Sequence, residues 1–182
     1  MAAFEFEAAN KFALDLHKCL KSTDKFAGEN LFYSPASLLI ALAMTSLGTR
    51  GNTALELMKV LHVDSVSSDD LGKSMKNFID SLNRASDENN KLLIANRLFV
   101  QKSFEILSSF QQGMREFYRA EIALVDYIAN VEKAREEINK WVEQQTNDKI
   151  KDLIPAGMLG SDRKSTRLNS SHITRSRMPS SA

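Results

Sequence analysis

The sequence predicts an α+β fold built from six helices and three short strands. Most of the 182 residues fall into segments with apolar residues at helical spacing, and these are separated by three short runs of β-branched and aromatic residues. The predicted order is α, β, α, α, α, β, α, β, α, which lacks the regular alternation of parallel α/β proteins. The length and the 43% hydrophobic content suit one domain with a sizeable core.

The first helix is predicted over residues 6–21. Apolar residues recur there at spacings of three and four, with charged residues opposite, so one face should lie on the core. His17 and Cys19 stand two residues apart, on different sides of such a helix, which argues against a catalytic pair or a shared metal. Because a free cysteine is most often a small buried hydrophobe, we expect Cys19, the only cysteine, to be buried.

Residues 30–51 predict a short strand followed by a helix that other elements surround. The run LFY at residues 31–33 favours a strand, after which Ser34 is placed as an N-cap and Pro35 as the first helical residue. Every residue from 38 to 44 is apolar, so this helix has no side suited to water. Gly48 stands where a left-handed C-cap needs a residue without a Cβ atom.

Two helices and a strand follow. Thr53 and Glu56 match a capping box, which predicts a helix from there to about Leu61. Ser68 begins a segment whose apolar residues keep helical period as far as residue 82. Residues 91–100 are apolar on both alternating faces, which predicts a strand in the middle of a sheet.

The last three elements are a helix, a strand and a helix. Ser108 and Gln111 offer a second capping box, for a helix to residue 119. Residues 121–128 predict a strand that Asp126 interrupts. Asn130 is placed to cap a final helix, which extends to residue 146. Its apolar stripe consists of Ala134, Ile138, Trp141 and Val142.

The sequence offers no pattern typical of a catalytic, cofactor or metal site. The seven glycines form no phosphate-binding loop, the three histidines and one cysteine have no metal-ligand spacing, and no G-x-S-x-G elbow occurs. We therefore expect no enzyme activity, no catalytic residues, no cofactor and no metal. The first residues lack both a basic flank and a long apolar run, so we expect neither a signal peptide nor a membrane span.

The charge distribution divides the chain near residue 161. The net charge is +1, and residues 162–182 carry +4, which leaves −3 for residues 1–161. So abrupt a change is typical of a boundary. We therefore predict a folded part over residues 1–161 and a separate basic tail over residues 162–182.

Several stretches resemble the serpin family. They are NLFYSPAS at residues 30–37, LAM at 42–44, LGTRGNT at 47–53, ANRLF at 95–99 and INKWVEQQTNDKI at 138–150. Their order and spacing also match, over residues 4–161. Without a signal peptide, the chain is more similar to the intracellular, ovalbumin-like branch than to the plasma serpins. The resemblance implies the N-terminal part of a serpin fold and a cytoplasmic location, with unconventional or internal-signal secretion as the alternative.

The resemblance also implies a mechanism and two structural site residues. A full-length serpin inhibits a serine or cysteine protease when its cleaved reactive loop inserts as an added strand and traps the acyl-enzyme. Residues 91–102 and 121–128 would be strands of that sheet, residues 130–146 the helix across its face, and residues 31–34 part of a second sheet. Ser34 and Ser37 match serines of the shutter, which governs sheet opening, although an N-cap role alone would also account for Ser34.

The chain departs from the family after residue 161. Residues 162–182 resemble a translated sequencing-library adaptor, so we interpret them as non-native; at face value they are a disordered tail that could bind nucleic acid. The reactive loop lies near the C-terminus of serpins, which are roughly twice this length, and is absent here. We expect this chain to be inactive and without a partner, whether its parent is inhibitory or non-inhibitory. The alternative function is a helical α+β interaction protein that uses its basic tail on nucleic acid.

Overall fold

The α+β fold class is confirmed by the computed structural model, which describes residues 2–26, 28, 30–84, 96–159 and 168–169. The six helices in this part of the chain are α1 (Ala2–Lys21), α2 (Pro35–Leu47), α3 (Gly51–Val60), α4 (Ser68–Arg84), α5 (Ser108–Tyr118) and α6 (Val131–Gln145). The three strands are β1 (Arg97–Gln101), β2 (Glu121–Val125) and β3 (Leu168–Asn169). A single 3-10 turn, Asp24–Phe26, follows α1. None of the described helices is both long and apolar enough to cross a membrane.

The helix α2 is the centre of the larger core, as the sequence predicts. All of its 13 residues are buried or half-buried, and Ile40 and Ala43 have no exposed surface. Helices α1, α3, α4 and α5 pack around it. Because its neighbours occupy every side, α2 needs no polar face.

Two expectations next to α2 are wrong. Residues 31–33 are not a strand in the described part of the chain, where no other strand lies beside them to supply backbone hydrogen bonds. The place of residues 31–34 in the second sheet of a whole serpin stays a prediction. Gly48 is the C-cap but has a right-handed backbone, with φ −91°. Its lack of a Cβ atom serves packing instead, because a Cβ there would lie 3.1 Å from Cε2 of Phe110.

Neither predicted capping box forms. Helix α3 begins at Gly51, where φ is +60°, so the chain turns into the helix before Thr53 and leaves that residue inside the first turn. Helix α5 already includes Ser108, and its N-cap is Leu107, which makes no side-chain cap. The amide of Gln111 donates to the carbonyl of Ile106 at 3.2 Å instead of completing a box.

The strand β1 lies in the middle of the described sheet, in the order β2-β1-β3. It pairs in parallel with β2 over its whole length, from Arg97 opposite Glu121 to Gln101 opposite Val125. Helix α5 makes the crossover between these two strands. The predicted strand over residues 91–100 is described only from residue 96 onwards. The strand β2 ends at Val125, three residues earlier than predicted.

The sheet separates two apolar clusters. Leu98 and Ile122 pack against the larger cluster, which α1, α2, α4 and α5 form. Phe99, Ala123 and Val125 point to the opposite face, where α6 covers them. The chain is therefore layered as helices, sheet and α6, so both faces of the sheet are covered.

Candidate functional site

The candidate site is the sheet β1–β2 with its two covers, because the predicted function depends on a strand being added to this sheet. Three features position it: the serine pair at the start of α2, the polar junction after β2, and the attachment of α6 to the segment that follows it.

The serine pair joins Ser34 to Ser37 within one helical turn. Oγ of Ser34 accepts a hydrogen bond from the backbone N–H of Ser37 at 3.3 Å and lies 3.0 Å from its Oγ. Both residues are half-buried. The N-cap role of Ser34 is thus confirmed, and in the described part of the chain neither hydroxyl bonds to β1 or β2.

The two edges of β1 differ in how far they are paired. On one side, all five residues face β2. On the other side, β3 runs antiparallel and covers only Leu98 and Phe99. Residues 168–169 therefore occupy part of this second edge of β1, and its C-terminal part has no strand beside it among the described residues.

A polar junction fixes the ends of the two parallel strands. Asp126, directly after β2, accepts the backbone N–H of Ala129 at 2.9 Å and pairs with Lys102 at 2.8 Å. These contacts hold the pKa of Asp126 well below its usual range. Across the strands, Oε1 of Gln101 accepts the backbone N–H of Tyr127 at 2.6 Å. The junction ends β2 at Val125, because the chain must turn to make these bonds.

The same junction explains why the predicted side-chain cap at Asn130 is wrong. Asn130 is the N-cap residue of α6, but its side chain makes no cap hydrogen bond there. Its Nδ2 atom donates instead to Oδ2 of Asp126, at 3.0 Å. This charge-assisted bond is stronger than a neutral cap bond, so it sets the orientation of the amide, and its oxygen accepts no N–H from the first turn of α6.

A buried asparagine fastens α6 to the segment after it. Oδ1 of Asn139 accepts from the backbone N–H of Ile154, and its Nδ2 donates to the carbonyl of Ile154, each at 2.9 Å. Arg135 donates a second hydrogen bond to that carbonyl, at 3.2 Å. We call this arrangement the Asn139 clamp. With Ile138 and Val142 fully buried on the sheet, α6 and its return segment form one packed cover.

The remaining sequence candidates stay apart from the sheet. Cys19 is exposed, so the expected burial is wrong: its place in the last turn of α1 faces outwards. Nδ1 of His17 lies 2.9 Å from the hydroxyl of Tyr33 and does not meet the cysteine. Within the described residues, no group of three or more His, Cys, Asp or Glu side chains is placed to hold a metal.

Sequence reasoning missed Gln101 and Asn139 as functional supports. Each is a polar residue next to buried apolar ones, and each is under 10% exposed. That placement is the available signal, because a buried polar group must find a partner. The partner itself cannot be read from the sequence, since Tyr127 and Ile154 lie 26 and 15 residues away.

Comparison with known proteins gives consistent matches. The sequence model described as serpin (serine protease inhibitor) matches residues 7–173. Human serpin B3 is 37% identical over 169 residues, and the leukocyte elastase inhibitor of Xenopus tropicalis is 38% identical over 162. These alignments cover 86% and 89% of this chain but 43% and 42% of the relatives. The structure of emu ovalbumin superposes with a TM-score of 0.76 at 29% identity, over 86% of this chain and 43% of that one. The chain thus spans less than half the length of these relatives.

Proposed function

The chain belongs to the serpin family, and on that premise we propose that it is the N-terminal part of a serine-type endopeptidase inhibitor. The whole protein would trap a serine or cysteine protease by inserting its cleaved reactive loop into the large sheet. In this mechanism the strain of the sheet supplies the work, so no catalytic group is required. The relative named a leukocyte elastase inhibitor supports the proposal, and an elastase is accordingly the first protease to test.

The edge of β1 carries the proposal. β1 has β2 along one whole side, whereas β3 covers two residues of the other side. Unpaired edges accept added strands, because their N–H and C=O groups need partners. We propose that the next central strand of the whole protein pairs there, and that β1 and β2 move together when the sheet opens.

The serine pair and the Asn139 clamp have separate roles in this proposal. Ser34 and Ser37 begin the helix that packs in the same cluster as Leu98 and Ile122, so they lie on the side of the sheet opposite α6. We assign them the shutter role there, in addition to the N-cap shown for Ser34. The Asn139 clamp holds α6 and the segment that follows it together as the cover on the other face of the sheet.

We further propose that this chain by itself does not inhibit proteases and has no protease partner. The alignments cover 43% and 42% of these relatives, and the reactive loop that the family resemblance implies would lie outside the aligned part. Residues 1–161 would be a partial serpin domain, and residues 162–182 would be non-native. The similarity to the ovalbumin-like branch favours a cytoplasmic location for the parent.

A hybrid protein tests the inhibitory function. Residues 1–159 are joined to the C-terminal remainder of the Xenopus leukocyte elastase inhibitor, and the hybrid is incubated with an elastase. We expect a complex that survives boiling in SDS, whereas the chain of residues 1–182 alone should give none. Elastase whose active-site serine has been blocked is the control and should give no complex. A hybrid that unfolds cooperatively yet is only cleaved would contradict the proposal.

The boundary at residue 161 has its own test. The transcript is sequenced past the codon for Ser161 from independent samples. Further central-strand sequence of the serpin type is expected there. If the transcripts instead encode the Arg- and Ser-rich tail, the boundary proposal fails and the nucleic-acid-binding alternative gains support.

A further inference from the structure

A cavity of about 280 Å³ opens between the C-terminal ends of α4, α5 and α6, beside the first residues of β1 and β2. It lies away from the sheet edge and from the serine pair. Its walls carry two guanidinium groups and three carboxamides, from Arg97, Arg119, Asn83, Asn96 and Gln145. Hydrogen-bond donors are therefore concentrated around one small space.

Arg97 is held in a fixed orientation at the base of this cavity. Its guanidinium carbon lies 5.7 Å from the ring centroid of Trp141 and 5.6 Å from that of Phe99. Nη2 pairs with Glu121 at 3.1 Å. Its Nε atom is buried and has no hydrogen-bond partner in the described part of the chain. The guanidinium carbon thus lies within cation–π distance of both rings, and these contacts, together with the ion pair to Glu121, limit the movement of the side chain.

Arg119 supplies the second cation from the end of α5. It is the C-cap of that helix, with φ +50°, and its side chain is 60% exposed. One of its nitrogens lies 2.7 Å from Asp80. Each arginine thus meets a protein carboxylate through one nitrogen, while a guanidinium carries five N–H donors. Among the described residues of the cavity wall, Glu121 is the one acid, so donors outnumber carboxylates there.

We propose that this cavity binds a small planar organic carboxylate, with the carboxylate on the arginines and the ring beside Trp141. Carboxylates pair with guanidinium groups through two parallel hydrogen bonds, and a flat ring packs well against an indole. The volume is just below the range of about 300–1,000 Å³ typical of ligand sites, which favours a ligand with a single ring. This proposal does not depend on the inhibitory function.

The fluorescence of Trp141 tests the proposal, because it is the only tryptophan of the chain and lines the cavity. The full chain is titrated with benzoate at constant ionic strength, and with benzamide as the neutral analogue. We expect a saturable change in emission with benzoate, and binding of benzamide weaker by about tenfold or more, because the charge-assisted bonds are lost. A change that does not saturate, or equal binding of both compounds, would overturn the proposal.

Three variants locate the binding. Arg119→Gln should weaken benzoate binding by about tenfold or more, since it removes one cation. Glu121→Gln should strengthen binding, because it removes the carboxylate that competes for Arg97. Arg115→Gln, an exposed arginine of α5 outside the cavity, is the matched control and should bind as the parent chain does. Circular dichroism checks that each variant folds. If Arg119→Gln does not fold, Arg119→Lys takes its place and should weaken binding by a smaller factor, because it keeps the charge but loses the paired donors of the guanidinium. Unchanged affinity in both the Arg119 and Glu121 variants would refute the site.

Discussion

The Asn139 clamp makes a quantitative prediction. Asn139→Leu keeps a side chain of similar size but removes the two 2.9 Å hydrogen bonds to Ile154. In this variant the carbonyl of Ile154 keeps its hydrogen bond from Arg135, whereas the backbone N–H of Ile154 is left buried without a partner. Loss of the bond to the carbonyl costs about 0.5–1.5 kcal/mol, and the N–H left without a partner costs about 1–3 kcal/mol. The free energy of unfolding should therefore fall by about 2–4 kcal/mol.

Urea unfolding followed by the fluorescence of Trp141 measures this loss, at a concentration where the chain is monomeric. Gln144→Leu, at an exposed position of α6, is the control and should change stability by less than about 0.5 kcal/mol. Hydrogen exchange provides a local measure, because the amide of Ile154 should lose its protection in the Asn139 variant. A loss below about 1 kcal/mol, with Ile154 still protected, would refute the clamp.

Three further predictions concern single side chains. Ser34→Ala removes the N-cap of α2 and should cost about 1 kcal/mol in urea unfolding, whereas Ser37→Ala keeps the cap and should cost less; equal losses would contradict this assignment. Gly72→Ala should cost about 1–3 kcal/mol, because the added Cβ overlaps the ring of Phe117; an unchanged unfolding midpoint would contradict it. Folding lowers the pKa of Asp126, so its ionised form stabilises the fold above the unfolded pKa of about 4, and this contribution disappears as the pH falls. Asp126→Asn should therefore flatten the acid side of the stability profile, and an unaltered profile would refute this contribution.

The helices could be predicted because their signals are local and strong. The unbroken apolar run of α2 correctly predicts a helix with neighbours on every side, and Ser34 with Pro35 correctly marks its start. The central position of β1 also follows from its apolar character on both faces. For α2, the residues that carry the signal are those that form the element, whereas the signal for β1 lies partly in residues 91–95, outside the described part.

The errors arise where a distant contact decides the local structure. Gly48 lies against the ring of Phe110, so it is packing, and not a left-handed backbone, that requires a residue without a Cβ atom there. Asn130 turns from its helix towards Asp126, and residues 31–33 remain without a neighbouring strand. Likewise, the partner of Asn139 depends on the path of the chain after α6, and the spacing of apolar residues in the sequence does not predict that path. The covers of the sheet could be predicted as elements, but their attachments could not.

The most direct test of the proposed sheet function is the thermal stability of the hybrid protein before and after its reactive loop is cut. A protease that cleaves the loop without being trapped produces the cut form, and circular dichroism records both melting curves. If the loop inserts as a further strand of the sheet that contains β1 and β2, the cut hybrid should melt at a clearly higher temperature, because the added strand pairs with backbone N–H and C=O groups of that sheet. An unchanged or lower melting temperature would show that this sheet does not accept the strand, and would contradict the account.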